Sequence, residues 1–77
     1  MKVAVQFFGD LRKYLRQGQE VINVDIEAGG TIGGLLQRLG VEKGEVWVVS
    51  LNDSIVDEMS QLVEGGKVLV FPPFEGG

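Results

Sequence analysis

The sequence of 77 residues contains no cysteine and no histidine. Their absence removes disulfides, thiolate nucleophiles, the imidazole base that titrates near neutrality and the usual ligands of zinc. Cations are scarce as well: Lys2, Arg12, Lys13, Arg16, Arg38, Lys43 and Lys67 face 11 acidic residues, for a net charge of −4. They are scattered along the chain and form no stripe that could neutralise a phosphate backbone, so nucleic acid is not expected as a partner. The acidic residues Glu42, Glu45, Asp57, Glu58 and Glu64 are dispersed too, and they read as solvated surface, with no metal site. Long apolar runs are missing, so neither a signal peptide nor a membrane span is expected and the cytoplasm is the expected compartment. A domain of this length hides only about 60% of its unfolded surface, which leaves no interior for a deep substrate pocket. A self-contained enzyme is therefore not the reading.

What is present suits one small folded domain over residues 1–77, since 44% of the residues are hydrophobic. Lys2 to Phe8 alternates, with Val3, Val5 and Phe7 on one face and Ala4, Gln6 and Phe8 on the other, which predicts a half-buried strand. After Gly9-Asp10, the stretch from Leu11 to Arg16 is too short for an independent helix and reads as a structured connection. Ile22, Val24 and Ile26 alternate with Asn23, Asp25 and Glu27, and the two strands suggest a hairpin. Thr31 is placed to cap a helix running to Gln37 or Leu39, closed by Gly40, with Ile32, Leu35, Leu36 and Leu39 as its apolar stripe. Gly33 and Gly34 lie inside that helix and predict a close approach to the sheet. A strand over 46–51, a turn at Asn52-Asp53, a short return over 54–56 and an irregular stretch over 57–63 follow. Trp47 is expected to be partly in the core. After a turn at Gly65-Gly66, Lys67 to Phe71 forms the last strand, with Val68 and Val70 facing one way and Leu69 and Phe71 the other. The whole is α+β, with one helix across one face of the sheet.

Proline is confined to one adjacent pair, Pro72-Pro73. The pair ends strand pairing, because neither residue donates to a ladder and both are stiff. Beyond it, Phe74-Glu75 leads to Gly76-Gly77. Two residues without Cβ atoms can thread a narrow channel and present a bare carboxylate to another protein's active site. Activated as an acyl-adenylate, such a carboxylate is open to attack by sulfur or an amine, which makes the chain a substrate and its partner the catalyst. A frayed terminus of small residues is the other reading. The residues alone leave both open.

The chain resembles the MoaD/ThiS family of ubiquitin-like sulfur carriers, small β-grasp proteins ending in Gly-Gly. The resemblance rests on Phe7-Phe8-Gly9-Asp10-Leu11-Arg12, on Leu51-Asn52-Asp53 through Leu62, on Gly65-Gly66-Lys67-Val68, and on the ending Phe71-Pro72-Pro73-Phe74-Glu75-Gly76-Gly77. It spans nearly the whole chain, and the ends look most like the branch that forms the small subunit of molybdopterin synthase. The short link from helix to third strand looks more like the thiamine branch, and Phe74-Glu75 replaces the smaller residues usual in the family. The resemblance implies a mixed sheet of four to five strands with one main helix and a flexible tail over 72–77. It implies no cofactor bound by this chain. A MoeB-like, E1-type enzyme would use Mg-ATP to adenylate Gly77, and a cysteine desulfurase or rhodanese-like donor would supply sulfur for a thiocarboxylate there. A MoaE-like large subunit would consume that sulfur to make molybdopterin. Related carriers serve thiamine, tRNA thiolation or cysteine synthesis, and some relatives modify lysines through the same terminus.

Strand alternation places Phe8, Leu69 and Phe71 together on the face opposite the helix, a candidate docking patch continuous with Pro72, Pro73 and Phe74. Arg12 is expected to form a surface ion pair, and the resemblance allows it a role toward the partner.

Overall fold

The computed structural model describes residues 1–73. Five strands form one mixed sheet: β1 (Lys2–Phe7), β2 (Val21–Asp25), β3 (Val48–Leu51), β4 (Ser54–Val56) and β5 (Lys67–Phe71), in the order β2-β1-β5-β3-β4. The first and last strands are parallel neighbours at its centre, with Val5 beside Val68 and Phe7 beside Val70. The other pairings are antiparallel. A parallel pair needs a long crossover, and here that connection carries the helix α1 (Ile32–Arg38). This is the expected β-grasp, with the full five strands.

The alternation seen in the sequence decides the burial. Val3, Val5 and Phe7 of β1 and Val68 and Val70 of β5 are buried beneath Ile32 and Leu35 of α1. Each such side chain contributes about 1.5–3 kcal/mol by leaving water. Val24 and Ile26 close the core at one edge, and Val49 closes it toward the other. Asn52 and Asp53 both have positive φ, 50° and 72°, the geometry that turns β3 tightly into β4.

Thr31 caps α1 as expected, its Oγ1 accepting from the Gly34 amide at 3.1 Å. Other free amides of the first turn find carbonyls in the irregular stretch before β5: Ile32 donates to Ser60 at 2.9 Å and Gly33 to Glu58 at 2.8 Å. This corrects the reading of Gly33. Its close approach is to the backbone of Glu58, where an added Cβ would stand 3.1 Å from the carbonyl oxygen, and not to the sheet. Two carbonyls of the irregular stretch over 57–63, those of Glu58 and Ser60, thus serve the helix start.

Two short 3₁₀ turns complete the chain, at Gly9–Tyr14 and Lys43–Glu45. The first buries Leu11 in the core and sets the Tyr14 ring 5.6 Å from that of Phe7. The second occupies the link before β3, so β3 begins at Val48, two residues later than the alternation suggested. Glu45 ties the two turns together by accepting from Lys13 Nζ at 2.6 Å and from the Tyr14 hydroxyl. The hydrogen bond from Lys13, then those from Tyr14 and the Glu42 amide, hold the Glu45 carboxyl down at about 2. Trp47 corrects another expectation: 70% of it is exposed. It precedes β3, and the core on that side is already filled by Val49.

Two outcomes follow from these contacts. Gly34→Ala should raise stability in chemical denaturation by about 0.5–1 kcal/mol through helix propensity, whereas Gly33→Ala should show no such gain because its methyl meets Glu58; equal gains would remove that contact as a constraint. A carboxyl whose folded pKa is depressed stabilises the fold above its unfolded pKa and ceases to do so as pH falls through the folded value. Glu45→Gln should therefore lower the urea midpoint at neutral pH and converge with the parent between about pH 4.5 and 2; a difference independent of pH would exclude the carboxylate as its cause.

Candidate functional site

The end of β5 determines where the tail leaves the domain. Phe71 is the last paired residue, and its carbonyl accepts from the Trp47 amide at 2.8 Å. On the face away from α1, the Phe71 ring lies on that of Phe8, with centroids 4.6 Å apart and planes 9° apart. The Phe8 amide donates to the Val70 carbonyl at 3.1 Å, so backbone and side chain hold the two strand ends in one register. Aromatic pairs of this offset, stacked kind add about 0.5–1.5 kcal/mol beyond the area they cover.

Leu69 sits on the same face, and with Phe8 and Phe71 it is half-buried. The expected patch is thus brought together. Pairing extends it with two residues that the sequence reading left out: Val48 opposite Phe71, and Ile55, which lies beyond Ser50 and is 78% exposed. Their signal was present in the strand alternation, but it requires knowing that β3 lies beside β5. Between Leu69 and Ile55, the Ser50 hydroxyl is buried and has no hydrogen-bond partner among the described residues.

Pro72 and Pro73 line a small cleft with Asp10, Leu11, Lys13, Gly44 and Glu45, formed where the two 3₁₀ turns meet. Pro72 is half-buried and Pro73 exposed. Arg12 lines a neighbouring recess with Gln6, Phe7, Phe8, Gly9 and Glu20. Among the described residues it makes no ion pair, so the surface bridge expected for it is absent there. Phe74, Gly76 and Gly77 lie outside the described residues. The site is therefore an exit: an apolar face, a pair of stiff residues and a cleft beneath them. The charged side chains at the cleft, Lys13 and Glu45, are paired with each other, and the arrangement suits presentation of a tail to another protein.

Comparison with known proteins agrees with this fold. SAMP1 of Haloferax volcanii superposes with a TM-score of 0.78 at 21% identity, over 100% of both chains. A Pyrococcus furiosus protein assigned as subunit 1 of a molybdopterin converting factor gives 0.73 at 25% identity, over 95% of this chain and 98% of that one. A chain from the complex of subunits 1 and 2 of the molybdopterin-converting factor of Helicobacter pylori gives 0.64 at 25% identity, over 100% of this chain and 100% of that one. No protein in the curated set matches the sequence. The ThiS family model matches residues 5–77, from the second half of β1 through the Gly-Gly end, and the chain belongs to the ThiS family.

Proposed function

We propose that this chain is a sulfur carrier for molybdopterin synthesis, acting through the carboxylate of Gly77. The observation that carries the proposal is the family match running to residue 77, across the Phe-Pro-Pro-x-x-Gly-Gly ending. The molybdopterin branch is supported by the likeness to the subunit 1 proteins of P. furiosus and H. pylori. In the cycle, a MoeB-like enzyme transfers AMP from Mg-ATP to the Gly77 carboxylate and releases pyrophosphate. A persulfide sulfur, delivered by a cysteine desulfurase or rhodanese-like donor, displaces AMP from the carbonyl carbon. A thiol then cleaves the acyl persulfide, leaving a thiocarboxylate on Gly77 and a disulfide on the partner. A MoaE-like large subunit takes the sulfur, a role supported by the H. pylori complex of the two subunits. The cycle belongs to the cytoplasm.

Each structural part has a task in this scheme. The Phe8, Leu69 and Phe71 face docks on the partner, and Pro72-Pro73 limits the conformations that the tail must give up on entering a channel. Gly76 and Gly77 keep that channel narrow. The fold likeness to SAMP1 favours one other reading, conjugation of Gly77 to lysines.

Intact-mass measurement of the protein from its native cells, with fragmentation, should show one terminal oxygen of Gly77 replaced by sulfur. A plain carboxylate together with Gly77 remnants on lysines of other proteins would decide for the modifier. Gly77→Ala should fold normally and transfer no sulfur. Phe8→Asp or Phe71→Asp should weaken binding to the large subunit by tenfold or more, as loss of a central aromatic anchor does, with the circular dichroism of the isolated domain retained; parent affinity in both would remove the docking face.

A further inference from the structure

Pro72 has no N–H with which to join a ladder, so no strand pairing sets the direction of the chain beyond Phe71. What the ring touches sets it instead. A Cβ on Gly9 would stand 2.8 Å from Pro72 Cγ and 3.6 Å from Cδ. The first distance is below any carbon–carbon contact, which is optimal near 3.5–4.0 Å. Gly9 is itself fixed: the Phe8 amide is bonded to Val70, and the Phe8 carbonyl accepts from Leu11 at 3.1 Å at the start of the 3₁₀ turn. The ring of Pro72 therefore rests on a backbone that cannot retreat, at the one residue type that leaves room for it.

We propose that Gly9 is a positioning residue for the C-terminal tail: by lacking a Cβ it seats the Pro72 ring and so aims Gly77 at the partner's active site. This rests on the reading of Gly77 as the activated group. The five residues from 73 to 77 can span at most about 17 Å. Displacing the ring to make room for a Cβ changes the direction in which the chain leaves β5. Misplacement of reacting atoms by about 1 Å can already lower a rate a hundredfold. Within 4 Å an added Cβ at Gly9 meets Pro72 and neither Leu69 nor Phe71, so the larger loss is expected in turnover and the smaller in binding.

Gly9 also has a φ of +56°, which any L-residue would resist, and that alone could weaken the fold. Gly18 separates the two effects, because its φ is +84° and an added Cβ there meets nothing within 4 Å. Full-length Gly9→Ala and Gly18→Ala are compared with the parent in ATP–pyrophosphate exchange by a MoeB-type enzyme, over a range of carrier concentrations. Gly9→Ala should lower kcat at least tenfold with the KM for carrier within about threefold of the parent, while Gly18→Ala keeps both. Parent kcat in Gly9→Ala, or an equal loss in Gly18→Ala, overturns the proposal. Should Gly9→Ala fail to fold, Pro72→Ala removes the seated ring from the other side and is expected to reproduce the loss of kcat; parent kcat there overturns the proposal as well. Residual dipolar couplings of the amides of 74–77 give a readout without any enzyme. They should change in Gly9→Ala and not in Gly18→Ala, and identical couplings in all three proteins would reject the proposal. No exchange with the parent protein would reject activation of Gly77, leaving the couplings to decide the role of Gly9.

Discussion

The parallel pairing of β1 with β5 is the contact on which the rest of the molecule depends. It joins the start of the chain to its end at the centre of the sheet, with Val5 beside Val68 and Phe7 beside Val70. It also places Phe8 against Phe71 and Gly9 against Pro72. A closure this long in sequence carries a large entropic cost before its contacts form. The four core positions of that pairing, Val5, Phe7, Val68 and Val70, are among the most deeply buried of the described residues. Hydrophobic burial holds the register, and the register builds the exit of the tail.

Much of the fold could be read from local pattern. Period-2 alternation locates β1, β2 and β5, and Thr31 and Gly40 bracket the helix, because these features express geometry within a few residues. What escaped depends on neighbours far away in sequence. Gly33 looked like a contact with the sheet, yet it receives the carbonyl of Glu58 from an irregular stretch with no periodic signal. Trp47 continued an apolar run and still lies outside, since the 3₁₀ turn at Lys43–Glu45 delays β3 and the core place is taken by Val49. That turn is held by Glu45 to partners more than thirty residues earlier, at Lys13 and Tyr14. The apolar patch was legible in Phe8, Leu69 and Phe71, but Val48 and Ile55 join it only through the β3 pairing. Gly9 stood inside the motif that carries the family resemblance; its contact with Pro72 is a fact of tertiary structure alone.

The chemistry proposed for this chain asks little of its side chains. In that proposal a backbone carboxylate is activated elsewhere, so the domain's task would be to be recognised and to point. The proposal thereby accounts for sulfur transfer by a sequence without cysteine or histidine. It also assigns the stiff elements: the aromatic stack and the proline pair lie where flexibility would blur the aim, and the helix and its cap lie on the opposite face.

The central position of β5 has a mechanical consequence. Because β5 is bonded to β1 on one side and β3 on the other, tension along the tail meets both ladders lengthwise, and their hydrogen bonds must yield together in shear, not one at a time by peeling. A machine that drew the tail into its channel could pull hard on it and still find the domain folded at the entrance.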